Sequence, residues 1–370
     1  MAKKIIIAGG GTGGHIFPAI AIANAIKKER PSCDILFIGA KGKMEMEKVP
    51  QAGYKIEGLD IAGFNRSNLL KNITLPFKLL KSFMKVRDLF ISFMPDAVIG
   101  VGGYSTFPVL RYAQSRGIPT FIHEANSHAG KANMMLAERA VKVFVSSEGM
   151  EKFFPQNKIV VSGNPVREQI VSGRIAREEA IKFFGLDPAK KTVFAMGGSL
   201  GAKSINEAIA AGLDKFGQQD VQLIWQTGSP FVARAMELSA TRNNVWAGEF
   251  ITRMDMGYAA ADVMISRAGA MSVAELCVVK MPVIFVPYPH AAEDHQTANA
   301  MQLVGRNAAW MVKDSNASLE LIDMALRLVK DDQVQQQMKQ EQATMAITNA
   351  DEIVASEVLK YIELNRSIAK

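Results

Sequence analysis

Two stretches of this chain combine glycine with residues that can move protons or hold anions. The first is Gly9-Gly10-Gly11-Thr12-Gly13-Gly14-His15. Gly9, Gly11 and Gly14 fit G-x-G-x-x-G between an apolar run and a helical one. Such a loop lets backbone N–H groups approach an anion at a helix N-terminus, where the dipole favours negative charge. His15 stands where loop meets helix. The dipole there disfavours imidazolium, so a neutral ring is expected that can act as a general base. The same position suits a histidine that only caps the helix. The second stretch, Gly197-Gly198-Ser199-Leu200-Gly201, is expected to cradle a diphosphate, with Ser199 adding a hydroxyl.

Other stretches have the same character. Gly102-Gly103-Tyr104-Ser105-Thr106 can set N–H groups and hydroxyls around a phosphate. His123-Glu124-Ala125-Asn126 closes an apolar run, at the strand end where open parallel sheets bind ligands. A helix cap by Asn126 is the plainer alternative. In Arg267–Glu275 a helix N-terminus falls near residue 270, with Glu275 about one turn in. A carboxylate there can accept both hydroxyls of a ribose. It can also merely complement the dipole, an effect below about 1 kcal/mol. Val286-Pro287-Tyr288-Pro289-His290 runs into Asp294-His295-Gln296, again a strand end before a polar helix start. The chain has no D-x-D pair and no G-x-x-x-x-G-K-[ST], and so neither a metal-held diphosphate motif nor a P-loop. A leaving diphosphate would rely on N–H groups, a helix dipole and Arg167.

A lone G-x-G-x-x-G points to a dinucleotide site, which needs an acid at the end of the second strand to hold the ribose. That strand ends Phe37-Ile38-Gly39-Ala40, with no carboxylate. A nicotinamide-dependent oxidoreductase loses support accordingly.

These loops need strands behind them and helices in front. Apolar runs at Lys3–Ala8, Asp34–Ile38, Ala97–Val101, Thr120–His123 and Val141–Ser146 alternate with helical stretches, the first over Pro18–Lys28. That pattern predicts parallel strands with helices on both faces. Val160–Arg167 is a strand followed by Asn-Pro turn chemistry, and a polar helix is expected from about Ser172 to Phe184. The plan then restarts with strands at Thr192–Met196, Gln222–Gln226, Val263–Ser266 and Val283–Val286. A chain of 370 residues suits two domains. At 48% apolar and 21% charged it reads as a globular enzyme.

The N-terminal apolar run meets glycine after four residues, so no signal-peptide h-region is expected. No apolar stretch approaches the roughly 20 residues of a membrane span. Cys33 and Cys277 are expected as buried thiols, and no metal site is expected. The net charge of +7 fits an anionic substrate or membrane surface. No dense basic helix or basic-aromatic platform supports nucleic acid.

Gly-Gly-Thr-Gly-Gly-His (10–15), Gly-Val-Gly-Gly-Tyr (100–104), His-Glu-Ala-Asn (123–126), Gly-Asn-Pro-Val-Arg (163–167), Gly-Gly-Ser-Leu-Gly-Ala (197–202) and Arg-Ala-Gly-Ala-Met-Ser-Val-Ala-Glu (267–275) occur in this order. From about residue 3 to the Gln296 region the sequence thereby resembles the MurG family of bacterial peptidoglycan glycosyltransferases. The resemblance implies an α/β GT-B fold, two Rossmann-like domains facing across a deep cleft. Residues 1–164 would bind the acceptor and the membrane, and 165–349 would bind UDP-N-acetylglucosamine. The helix at about 350–370 could pack on either half, including back on the first domain. The implied reaction is inverting transfer of N-acetylglucosamine to the 4-hydroxyl of undecaprenyl-diphospho-N-acetylmuramyl-pentapeptide (lipid I), giving lipid II. His15 and Glu124 would be catalytic. Thr12, Gly13, Gly14, Asn126, Arg167, Ser199, Ile251, Ala270, Met271, Ser272, Glu275 and Gln296 would bind the donor. Ile251 would meet the uracil by its backbone, and Glu275 the ribose. Gly103, Tyr104 and Ser105 would hold the acceptor diphosphate. No cofactor would be tightly bound, a divalent cation at most stimulating the reaction. His295 precedes Gln296 where a Gln-Gln pair is common in the family, so no role is carried over to it.

A membrane-bound acceptor gives a use for Leu75–Ile91. Leu79, Phe83, Val86 and Phe90 share one arc of a helical wheel, suited to a core. Phe77, Leu80, Met84 and Ile91 share the next, beside Lys78, Lys81 and Lys85. Phe77, Leu80, Lys81, Met84 and Lys85 are expected to contact anionic lipid, placing the protein peripherally on the cytoplasmic face of the cytoplasmic membrane. A buried helix with snorkelling lysines is the alternative. The other functional readings are a UDP-sugar epimerase of the same fold and a non-catalytic sugar-binding protein.

Overall fold

A computed structural model describes residues 2–61, 75–173, 175–198 and 200–368. The chain forms two compact units, residues 1–166 with 347–370, and residues 167–346. The first unit holds strands β1 (Lys4–Ala8), β2 (Asp34–Ala40), β3 (Lys55–Leu59), β4 (Ala97–Gly100), β5 (Thr120–Glu124), β6 (Lys142–Val145) and β7 (Ile159–Val161). They form one parallel sheet in the order β3-β2-β1-β4-β5-β6-β7.

Side chains alternate across this sheet, as the two-residue period of a strand requires. Ile5 and Ile7 face a core shared with Ile16, Ile22 and Ile26 of the helix Gly13–Glu29 and with Val354, Val358 and Ile362 of the helix Ala350–Ile368. Ile6 and Ala8 face the opposite core, with Val86, Phe90, Val109 and Leu110. Burial on both faces explains why the strands read as continuous apolar runs. Strand order reverses between β1 and β4, so a crevice opens beyond their carboxyl ends.

The second unit repeats the plan with β8 (Lys191–Met196), β9 (Val221–Gln226), β10 (Val245–Gly248), β11 (Val263–Ser266), β12 (Val283–Phe285) and β13 (Trp310–Met311). These strands are parallel in the order β10-β9-β8-β11-β12-β13. The reversal lies between β8 and β11. Two Rossmann-like units of this kind make a GT-B-like fold.

Some expectations need correction. The first helix starts at Gly13, five residues before Pro18, which lies inside it. Proline has no N–H, so the Gly14 carbonyl lacks its usual partner four residues on. The polar helix is two helices, Glu168–Ser172 and Arg177–Phe183. They break at Gly173, where a Cβ would overlap the Gln169 carbonyl. Strands β3, β10 and β13 were not anticipated. Cys33 and Cys277 are buried, and burial pushes their thiols up to about 11 and about 12.

Candidate functional site

In the first unit, the glycine loops after β1 and β4 meet at the switch point. Gly10 N–H donates to Gly102 O over 3.1 Å. A Cβ at Gly103 would overlap the Gly10 backbone, and one at Gly102 would press on the His15 ring. Gly102 and Gly103 have φ of +93° and +91°, values that exclude most other residues. Thr106 Oγ donates to Ala8 O at 3.1 Å and Gly102 O at 3.0 Å, fixing the second loop to β1.

His15 is the third residue of its helix. Its Nδ1 lies 3.1 Å from Gly10 O and 3.4 Å from Thr12 Oγ. A carbonyl only accepts, so Nδ1 carries the proton and the lone pair of a neutral ring sits on Nε2. Thr12 is the N-cap residue, and Gly13 and Gly14 form the first turn, whose N–H groups have no intrahelical acceptor. Among the described residues, the Gly103 and Tyr104 N–H groups also have no protein acceptor. The Ser105 hydroxyl is buried and, among the described residues, has no hydrogen-bond partner.

Glu124 ends β5, as expected, but its carboxylate is already occupied. Oε1 accepts from Asn126 N at 3.0 Å and Asn126 Nδ2 at 3.4 Å, and Oε2 accepts from Gly130 N and Asn133 Nδ2, both at 2.9 Å. A carboxylate holding so many donors organises its loop and places Asn126. Beside it, His123 is buried and donates toward Gly163 O at 3.3 Å. Burial pushes its pKa down to about 4, so its ring stays neutral near pH 7.

A residue with no sequence signal completes this half. Glu45 is wholly buried, and accepts from Ala40 N and Gly11 N, each at 2.9 Å. The missing acid at the end of the second strand is therefore supplied from five residues further on. It binds backbone, not ribose.

In the second unit, the loop after β8 folds back on β9. A Cβ at Gly201 or Gly228 would overlap the backbone opposite, and Gly198, Gly201 and Gly228 all have positive φ. Ser199 lies outside the described residues. Buried Gln226, at the end of β9, donates to Gly198 O at 3.3 Å and accepts from Ile251 N at 2.9 Å. The Ile251 N–H is thus spent on Gln226. A polar residue at a strand's carboxyl end was the overlooked signal for Gln226.

Helix Ala270–Val279 begins where expected, putting Ala270, Met271 and Ser272 in its first turn. Glu275 already holds donors of the protein itself. It accepts from Arg167 Nε at 2.8 Å and Nη2 at 2.9 Å, and from the Tyr258 hydroxyl at 2.9 Å. Burial opposes the charge on Arg167, but the hydrogen bonds and charge of Glu275 outweigh it and raise the guanidinium pKa. Burial, then Glu275, pushes the Tyr258 phenol well above its usual range. The structure thus pairs two residues expected to bind different parts of the donor. Among the described residues, Arg167 Nη1 has no hydrogen-bond acceptor.

Arg267 ties the strand ends together. It donates to Val286 O, Pro287 O, Asp314 and Ser204 Oγ. Gln296 Oε1 accepts from Tyr288 N at 2.9 Å, so this side chain also shapes its loop. His295 Nδ1 lies 2.6 Å from Ala292 O across the preceding turn. Glu293 and Asp294 there both have φ of +51°, a strained pair that places the start of helix His295–Val304.

On helix Leu75–Phe93, Val86 and Phe90 are buried. Phe77 and Leu80 are 76% and 61% exposed, and Met84 and Ile91 are also exposed. Lys81 is exposed, whereas Lys85 is half-buried, 2.7 Å from Glu57 and 3.0 Å from Gly58 O. Lys85 is therefore engaged with the protein. Among the described residues, no helix is long and apolar enough to cross a membrane.

Residues 5–145 match the glycosyltransferase family 28 N-terminal domain, and 192–354 match its C-terminal domain. The UDP-N-acetylglucosamine–N-acetylmuramyl-(pentapeptide) pyrophosphoryl-undecaprenol N-acetylglucosamine transferase of Phocaeicola vulgatus is 48% identical, over 98% of this chain and 97% of its own. The enzyme of the same name from Parabacteroides distasonis is 49% identical, over 97% and 98%. The crystal structure of Acinetobacter baumannii MurG is 29% identical, with a TM-score of 0.80, covering 97% of this chain and 99% of that one. A UDP-N-acetylglucosamine 2-epimerase from Neisseria meningitidis shares the fold at 14% identity and a TM-score of 0.66, covering 97% and 100%.

Proposed function

The chain belongs to glycosyltransferase family 28, and on that premise we propose that it converts lipid I to lipid II. N-acetylglucosamine passes from UDP-N-acetylglucosamine to the 4-hydroxyl of the muramyl sugar, with inversion. The observation that carries this reading is likeness over the whole chain to transferases named for this reaction.

The reaction is a single displacement. As the acceptor oxygen bonds to the anomeric carbon, the bond from that carbon to UDP breaks and its electron pair leaves with the β-phosphate. His15 takes the acceptor proton on Nε2, the nitrogen that its bond to Gly10 O leaves basic. Thr12, Gly13, Gly14 and Asn126 face the donor sugar. The N–H groups of Met271 and Ser272, the helix dipole, Ser199 and Arg167 Nη1 stabilise the departing diphosphate. Ile251 offers its carbonyl to uracil, Gln296 keeps an amide for the sugar, and Glu275 serves the ribose side by holding Arg167. Gly103 and Tyr104 take the acceptor diphosphate by their N–H groups. No tightly bound cofactor enters this reading, and a divalent cation acts only by accompanying the diphosphate.

The acceptor is lipid-linked, and Phe77, Leu80, Met84 and Lys81 form an exposed apolar and basic surface that suits the anionic cytoplasmic face of the membrane. Release of UDP from UDP-N-acetylglucosamine, measured with and without a lipid I analogue, tests the function. Release only with acceptor is expected. Turnover of the donor alone, with epimerised product, would replace the transferase by an epimerase.

A further inference from the structure

Glu45 has no place in the reaction as described, yet it is a wholly buried carboxylate one peptide away from His15. Its Oε2 accepts the Gly11 N–H at 2.9 Å. The Gly10 carbonyl stands 3.1 Å from His15 Nδ1. Gly11 N–H and Gly10 C=O are the two ends of one planar peptide group. The contacts therefore run in series: Glu45 carboxylate, Gly10–Gly11 peptide, His15 imidazole.

The surrounding backbone is shaped for this contact. Gly10 and Gly11 have φ of +146° and +94°, which orient the peptide as few other residues could. A Cβ at Gly10 or Gly39 would overlap the Glu45 side chain. Oε1 is held by Ala40 N at 2.9 Å, so the carboxylate is fixed at both oxygens.

We propose that Glu45 is the orienting carboxylate of His15, acting through the intervening peptide. A negative charge accepting from the N–H polarises the peptide and makes its carbonyl a stronger acceptor, because hydrogen bonds in a chain reinforce one another. The stronger acceptor holds the proton on Nδ1, keeps the lone pair on Nε2, and favours the imidazolium that forms as the acceptor loses its proton. Carboxylates that bond a working histidine directly fix its tautomer and orientation in this way. Here Glu45 is a positioning residue and touches no substrate. Thr12 Oγ, 3.4 Å from the same nitrogen, is the weaker partner.

The inference rests on His15 being the base, so the experiment separates the two. The tautomer is read first, in the unmodified protein, from the ring-nitrogen chemical shifts of His15, assigned with His15→Gln. A neutral ring protonated on Nδ1 is expected, and one protonated on Nε2 overturns the inference. Glu45→Gln follows, with UDP binding and the unfolding temperature as checks on folding. Its kcat is expected to fall roughly 10–100-fold, the range seen when a carboxylate orienting a metal-bound histidine is removed. KM for UDP-N-acetylglucosamine is expected to hold, and the ring to shift toward mixed tautomers. Added to His15→Gln, the same substitution should cost nothing further. An equal loss in both backgrounds means that Glu45 only supports the fold and overturns the inference. Should Glu45→Gln not fold, Glu45→Asp keeps the charge, draws it back by a methylene and carries the same expectations. Normal turnover by His15→Gln would remove the base reading, with the tautomer measurement still deciding whether Glu45 orients the ring.

Discussion

His123 shows how burial makes a residue sensitive to pH. Its ring is inside the first unit, next to the loop that Glu124 organises, and among the described residues its Nδ1 has no partner. Burial lowers its pKa from 6.5 to about 4. Below pH 6.5 the unfolded chain takes up a proton that the folded chain refuses, so stability falls with pH. The loss develops between the unfolded and folded values and stops below about 4. It amounts to about 3 kcal/mol by linkage. Urea unfolding of the first unit across this window should show that slope, and His123→Gln, which keeps an N–H donor without a titrating ring, should flatten it. An unchanged slope would move the pH sensitivity to other groups. In the second unit, buried Glu275 holds Arg167 and Tyr258. Glu275→Gln leaves Arg167 and Tyr258 without the charge they are bonded to. Arg167 is 40% exposed, so solvent lowers the cost. A loss of about 1–2 kcal/mol is expected, below that of a fully buried pair. It would be read in urea unfolding, with a rise in KM for the donor and little change in kcat. Residue types and places were legible for both glutamates, but not their partners. Arg167 and Glu275 are far apart in sequence, and nothing in a linear pattern says that they bond each other before any ligand. Glu45 was not legible at all, because its role depends on a chain reversal that brings it back over Gly10 and Gly39.

Elements were legible where burial leaves a period or a run. Strands β1, β4, β5, β8 and β11 each carry a buried apolar run because helices cover both faces, and the helix Leu75–Phe93 shows its buried and exposed arcs in its wheel. Strands β3 and β10 lie at the edges of their sheets and read Lys-Ile-Glu-Gly-Leu and Val-Trp-Ala-Gly, too mixed and short to stand out. β13, also an edge, has only two residues. The wheel places residues on an arc but does not reveal ion pairs across it. Lys85 shares an arc with residues taken to meet lipid, yet it bonds Glu57 on β3, a strand the sequence did not announce. This separates two substitutions on one helix. Lys81→Ala should weaken binding to anionic vesicles by about 1 kcal/mol, the value of one basic residue near such a surface. Lys85→Ala should change vesicle binding less and thermal stability more. Replacing Phe77, Leu80 and Met84 together by serine should reduce vesicle binding further, while turnover of a short-chain soluble acceptor stays near normal. Equal effects of the two lysine variants on vesicle binding would mean that the Glu57 pair opens at the membrane.

At the scale of the whole chain, sequence order and compact units do not coincide. The chain leaves the first unit at Val166 and returns to it at Ile347. The returning helix Ala350–Ile368 places Val354, Ala355, Val358, Leu359 and Ile362 in the core beneath Ile22 and Ile26, and Tyr361 packs edge-on against Phe121 of β5. Lys28 and Arg30 pair with Glu352 and Glu363 at the rim, where exposure leaves them little energetic weight. The apolar face therefore carries the attachment. Each buried valine, leucine or isoleucine is worth about 1.5–3 kcal/mol, so losing several exceeds the roughly 5–15 kcal/mol that keeps a domain folded. A chain ending at residue 346 should thus lose its first unit, although the deleted residues follow the entire second unit in sequence. The second unit, residues 167–346, has its own sheet and core and depends on none of them. Expressed alone, it should fold cooperatively and bind UDP. It should transfer no sugar, since His15 and the acceptor loops are absent. Circular dichroism, UDP calorimetry and the UDP-release assay on these two truncations check the partition. A first unit that melts normally without the last helix would show that Val358 and Leu359 only cover a core complete without them. A second unit that fails to bind UDP would show that the donor needs groups of the first unit to be held at all.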